Sequence, residues 1–194
     1  MSVRVQAGYL QFIESERVSL KTRELLEARM SGPRPTQGVL TAAQETTLRA
    51  MLARVVPQEG EVEDSIDLAG FLLAQLESGR GDGWRYAVLP PDLKAYREGL
   101  DRLSAQGFAG LSMEAQDSAL HTLEAEEGSA AARWFEEVRG AATTAYVAHP
   151  RTLARIGYSG IGVGGAGTKY KGFVALQPDE REAWEPVASV GEKR

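Results

Sequence analysis

The sequence predicts an all-α protein, an irregular helical bundle followed by an extended, glycine-rich C-terminal arm. Three observations lead there. Apolar residues recur at helical spacing along most of the first 150 positions. The stretches between them open on Ser, Thr or Asp and close on Gly or Pro, the residues that start and stop helices. After Ile156 the pattern lapses and glycine takes over, at Gly157, Gly160, Gly162, Gly164, Gly165, Gly167 and Gly172.

Taken in order, the segment from Gln11 to Met30 carries Ile13, Val18, Leu20, Leu25 and Leu26 among many charges. This predicts a helix, though a broken one, ended by the breaker cluster from Ser31 to Pro35. Thr41 and Gln44 form a Thr-x-x-Gln capping box, in which each side chain reaches the other residue's backbone N–H. Behind it Leu48, Met51, Leu52 and Val55 keep helical spacing until Pro57. Ser65 or Asp64 is expected to cap the next helix, which carries Ile66, Ala69, Phe71, Leu72 and Leu76 and stops at Gly79.

A loop over 80–91 holds Trp84 and Tyr86 and ends in Pro90 and Pro91. The prolines fix φ and open a helix with Asp92 in its first turn. Leu93, Tyr96, Leu100 and Leu103 then form an amphipathic stripe that Gly107 ends. Ser112 caps a helix with Ala115, Ala119, Leu120 and Leu123, closed by Gly128. Ser129 caps the last long helix, expected to run to about Ala148. Its apolar face is Trp134, Val138, Ala141, Ala145 and Ala148, with Phe135, Ala142 and Tyr146 beside it. Leu153 and Ile156 predict one further turn. The resulting segmentation is an N-terminal helical segment and linker over 1–40, a helical domain over 41–156 and the arm over 157–194.

Composition narrows the chemistry. A chain of 194 residues can bury enough surface to fold without disulfides or metal. With 22 basic and 27 acidic residues it carries a formal charge of −5, which disfavours nucleic acid as a partner. The absence of cysteine excludes thiolate nucleophiles, disulfides and Cys-ligated metals. No apolar run approaches the roughly 20 residues of a membrane span. The first residues lack the apolar core of a secretory signal and the twin-arginine pair, so the expected location is cytoplasmic. Export in complex with a signal-bearing partner is the other route.

The segment from Gly160 to Gly165 formally matches G-x-G-x-x-G, with Asp179 at about the distance of a ribose-binding acid. No apolar strand precedes it, and too few residues follow for a doubly wound sheet. A linker, or an arm lying on a partner, fits the context better. His121 stands between Asp117 and Glu124 at helical spacing, a pattern more typical of a surface than of a metal site. His149, beside Pro150, reads as a cation complementing a helix C-terminus. Trp84 and Tyr86 either plug the helical core or anchor an interface, where Trp, Tyr and Arg are enriched. No catalytic, cofactor-binding or metal-binding constellation is visible.

A succession of segments carries a resemblance. It runs from Leu48-Arg-Ala-Met-Leu-Ala-Arg-Val-Val-Pro57 to Trp84-Arg-Tyr86, Pro90-Pro91 and Tyr96-Arg-Glu-Gly-Leu100. It continues through Trp134-Phe-Glu-Glu-Val-Arg139 and Tyr146-Val-Ala-His-Pro150 to Ile156-Gly-Tyr158. In this order and spacing, over about Thr41–Gly160, the chain resembles the gluconate 2-dehydrogenase subunit 3 family. These are small subunits of FAD-dependent sugar and alcohol dehydrogenases of the glucose–methanol–choline type. The resemblance implies a non-catalytic accessory subunit that binds, stabilises and helps mature a flavoprotein large subunit, with FAD in that partner and no cofactor here. The candidate partner-binding residues are Trp84, Tyr86, Tyr146, His149, Pro150, Tyr158, Tyr170 and Trp184. Two other readings stand beside it. One is a self-associating helical scaffold using the Trp134–Ala148 face. The other is a dinucleotide-binding enzyme built on the Gly160–Gly165 segment.

Overall fold

A computed structural model of the chain describes residues 5–34, 38–58, 65–79 and 85–158. Among the described residues all regular structure is helical, and the protein is all-α. The helices are α1 (Ala7–Glu14), α2 (Leu20–Met30), α3 (Ala42–Val55), α4 (Leu68–Ser78), α5 (Asp92–Ala105), α6 (Met113–Glu124), α7 (Ala130–Val147) and α8 (Pro150–Arg155), with a 3-10 turn at Phe108–Gly110.

Most helix starts follow from local side-chain chemistry. Thr41 and Gln44 form the expected capping box, with Gln44 N donating to Thr41 Oγ1 at 3.2 Å and Thr41 N donating to Gln44 Oε1 at 2.9 Å. Ser112 and Ser129 accept from the backbone N–H groups of Ala115 and Ala132. Gly79 closes α4 at φ 62, a conformation that costs glycine little.

Three local expectations are corrected. The 11–30 segment is two helices, α1 and α2. Ser15 and Ser19 bond to nearby backbone instead of continuing the helix: Ser15 Oγ donates to Phe12 O and Ser19 Oγ accepts from Thr22 N. The cap of α4 is Asp67, not Ser65, and its Oδ1 accepts from Gly70 N at 3.0 Å. Asp64 and the Gly160–Gly165 segment lie outside the described residues. The buried face of α7 is Trp134, Phe135, Val138 and Ala142, so the predicted line through Ala141 and Ala145 is only half-buried.

The described residues divide into two compact units. The larger holds 33–34, 38–58, 65–79 and 85–146. In it α3 is central and touches α4, α5, α6 and the 3-10 turn. Leu48, Met51, Leu100, Leu103 and Phe108 are fully or almost fully buried there. Polar contacts set the register: Gln44 Nε2 donates to Asp101 Oδ1 at 2.8 Å, and Arg54 grips both Asp117 oxygens at 2.8 Å. In α5 the indole of Trp134 lies directly on Gly99, while the Tyr96 ring meets that indole edge-on at 6.3 Å.

The smaller unit joins residues 5–32 to 147–158. Its apolar core is Tyr9, Phe12, Ile13, Val18, Leu26, Leu153 and Ala154. Arg23 on α2 donates to Ile13 O and Ser15 O at 3.0 Å, covering carbonyls left open at the end of α1.

Candidate partner-binding residues

Of the eight candidates, Trp84, Tyr170 and Trp184 lie outside the described residues. The other five fall in different units. Tyr86 and Tyr146 belong to the larger, and His149, Pro150 and Tyr158 to the smaller.

Tyr86 is placed by the turn in which Leu89 N donates to Tyr86 O at 2.9 Å, with Leu89 buried behind it. Its ring does not plug the core. It is half-buried, with the Arg133 guanidinium 4.6 Å from the ring centroid. Arg133 in turn bonds to Glu136 at 2.7 Å. The Glu136 carboxylate also accepts from the Tyr86 hydroxyl and raises its pKa, with burial adding to the effect. Tyr86 is therefore held in place by the Arg133–Glu136 ion pair. Arg133 and Glu136 were not legible as partners of Tyr86, because the residues are 47 or more positions apart and no local pattern links them. Tyr146 is half-buried in the last turn of α7.

His149 corrects the expectation of a dipole-complementing cation. It is 1% exposed and caps α8, its Nδ1 accepting from Arg151 N at 3.1 Å. Burial first, then the Arg151 charge, pushes its pKa down to about 4. The imidazole is thus neutral at pH 7, and an accepting Nδ1 requires the tautomer protonated on Nε2. Pro150 occupies the first turn of α8, where its missing N–H is not needed. Both side chains are buried.

Tyr158 is different. Its backbone is held by Tyr158 N donating to Leu153 O at 2.9 Å and by the Tyr9 hydroxyl donating to Tyr158 O at 3.3 Å. Its ring is 56% exposed, and Ile156 two residues before it is 57% exposed. Leu20, Leu25 and Val147 of the same unit are also exposed, whereas the larger unit exposes only Val88, Leu111 and Met113 among its described large apolar side chains. More of the exposed large apolar residues thus fall in the smaller unit, and Ile156 and Tyr158 lie two positions apart there. The sequence carries no signal that separates them: α2 has no distinct apolar face, and only the structure shows that Leu26 is buried while Leu20 and Leu25 are not.

Among the described residues no group of three His, Asp or Glu side chains is arranged to hold a metal. Asp117 is taken by Arg54, and His121 stands 3.9 Å from Glu124 on an open face. No described helix is long and apolar enough to cross a membrane. The face proposed for self-association is also accounted for at its large end, since Trp134 and Val138 are buried within their own unit. Residues 42–165 match the family model described as gluconate 2-dehydrogenase subunit 3. No curated protein and no solved structure matches the chain.

Proposed function

Because the chain belongs to the gluconate 2-dehydrogenase subunit 3 family, we propose that it is a non-catalytic accessory subunit that binds and stabilises an FAD-carrying dehydrogenase large subunit. The family match carries this reading. The exposed Ile156 and Tyr158 support it, since apolar and aromatic side chains left outside a core are the usual anchors of a protein interface. In this role the chain supplies surface and order, and FAD chemistry belongs to the partner. Hydrogen bonds with Leu153 and Tyr9 hold the backbone of Tyr158, while Tyr86, braced by Arg133, offers a second aromatic side chain.

The test is co-expression of this chain with an FAD-dependent dehydrogenase large subunit from the same genome, followed by size-exclusion chromatography and flavin absorbance of the large subunit. Co-elution, with a higher yield of FAD-loaded protein than from the large subunit alone, is the expected result. A large subunit that elutes alone, with the same yield and flavin content, would refute the proposal.

A further inference from the structure

The family match begins at residue 42, yet the last of its described residues pack with residues upstream of it. The six-residue helix α8 is far too short to persist by itself in water. Its inward side chains, Leu153 and Ala154, are buried with Tyr9, Phe12, Ile13, Val18 and Leu26, all from α1, α2 and the turn between them. Two polar contacts reinforce this packing from the same segment. The Tyr9 hydroxyl donates to Tyr158 O, and Arg29 Nη1 donates to Ala148 O at 3.1 Å. Burial raises the Tyr9 hydroxyl pKa to about 12, so it remains a donor throughout the neutral range. Arg23 braces α1 against α2.

We infer that α1 and α2 form a clasp that orders 147–158, and that docking through Ile156 and Tyr158 depends on residues 5–32 although these residues lie outside the family match. The docking half of this inference rests on the subunit reading above; the ordering half does not. The clasp acts as one cooperative unit, because α8 buries its two core side chains, Leu153 and Ala154, only against the five that α1, α2 and their turn supply.

Hydrogen exchange on the full-length chain tests the ordering, and titration with purified flavoprotein large subunit tests the docking. Leu26→Ala should speed exchange of the 151–158 amides about a hundredfold, in step with those of α2, while α3 and α5 keep their protection. It should also weaken binding about tenfold or more. If Leu26→Ala does not fold, Tyr9→Phe removes a single hydroxyl and should speed the same amides about fivefold. Unchanged protection of 151–158 when α2 loosens would overturn the clasp. Lost protection with unchanged binding would overturn its role in docking. A wild-type chain that binds no flavoprotein, while the exchange result holds, would instead overturn the subunit reading.

Discussion

Gly99 offers the sharpest test of the packing. A Cβ built on it would stand 2.3 Å from Trp134 Cδ2, 2.4 Å from Cε3 and 2.5 Å from Cε2. Carbon atoms in contact normally keep about 3.5–4.0 Å, so the indole would have to retreat by more than about 1 Å. It has little room to do so, being 2% exposed and held edge-on by Tyr96. Overpacking of this kind costs about 1–3 kcal/mol, and alanine returns about 1 kcal/mol through its better helix propensity. Gly99→Ala should therefore lose up to about 2 kcal/mol and Gly99→Val more. Gly140 on α7 is the matched control, since a Cβ added there would meet nothing within 4 Å. Gly140→Ala should gain about 1 kcal/mol. For a chain of this length each kcal/mol moves Tm by about 2–4 °C. Urea unfolding followed by circular dichroism, with near-ultraviolet spectra reporting the indole, measures both. A Gly99→Ala protein as stable as wild type, with an unchanged aromatic spectrum, would refute the placement of Trp134. Rescue of Gly99→Ala by Trp134→Leu would support it.

Three further outcomes are expected. His149 binds its proton with a pKa of about 4 when folded, against an ordinary value of 6.5, so the unfolded chain holds more protons between these limits. Its contribution is fully present above pH 6.5 and is lost as the pH falls towards 4, by at most about 3 kcal/mol. Urea midpoints measured between pH 7 and 4.5 should fall less steeply in His149→Asn, which keeps a capping side chain; parallel slopes would count against a buried neutral imidazole. Thr41→Ala should lower stability by about 1 kcal/mol, read by the same unfolding assay, because it removes one half of the capping box. Tyr158→Ala should change Tm little, since the residue is 56% exposed and its hydrogen bonds to Leu153 and Tyr9 are made by its backbone. It should weaken large-subunit binding about tenfold by calorimetry, and unaltered affinity would remove Tyr158 from the interface.

The parts of the fold that were legible are those written over three or four residues. Thr41 with Gln44, Ser112, Ser129 and Gly79 announce helix ends because a side chain and the backbone group it satisfies lie within one turn. The stripe of Tyr96, Leu100 and Leu103 is visible for the same reason. Asp67 was missed because Ser65 and Asp64 stood nearby with equal capping chemistry, and only the chain direction at Ile66–Leu68 selects among them. His149 was misread because the sequence shows its neighbours but not its burial, and burial sets its charge. Among the candidate site residues, Tyr158 combined a recognisable aromatic with real exposure. Tyr86 needed Arg133 and Glu136, which only packing brings to it.

By itself the sequence determined that this protein is helical, where most helices begin and end, and to which family it belongs. Hydrogen bonds between near neighbours and the 3.6-residue period are local properties, so the order of residues contains them. Which helices share a core was decided only in three dimensions. The bonds from Arg29 to Ala148 and from Tyr9 to Tyr158 span 119 and 149 positions. The burial that brings those residues together is non-directional, and many pairings of amphipathic helices satisfy one apolar pattern equally well. Shape selects among them: Leu26 fits beside Leu153 and Ala154, and a flat indole fits only where α5 carries Gly99.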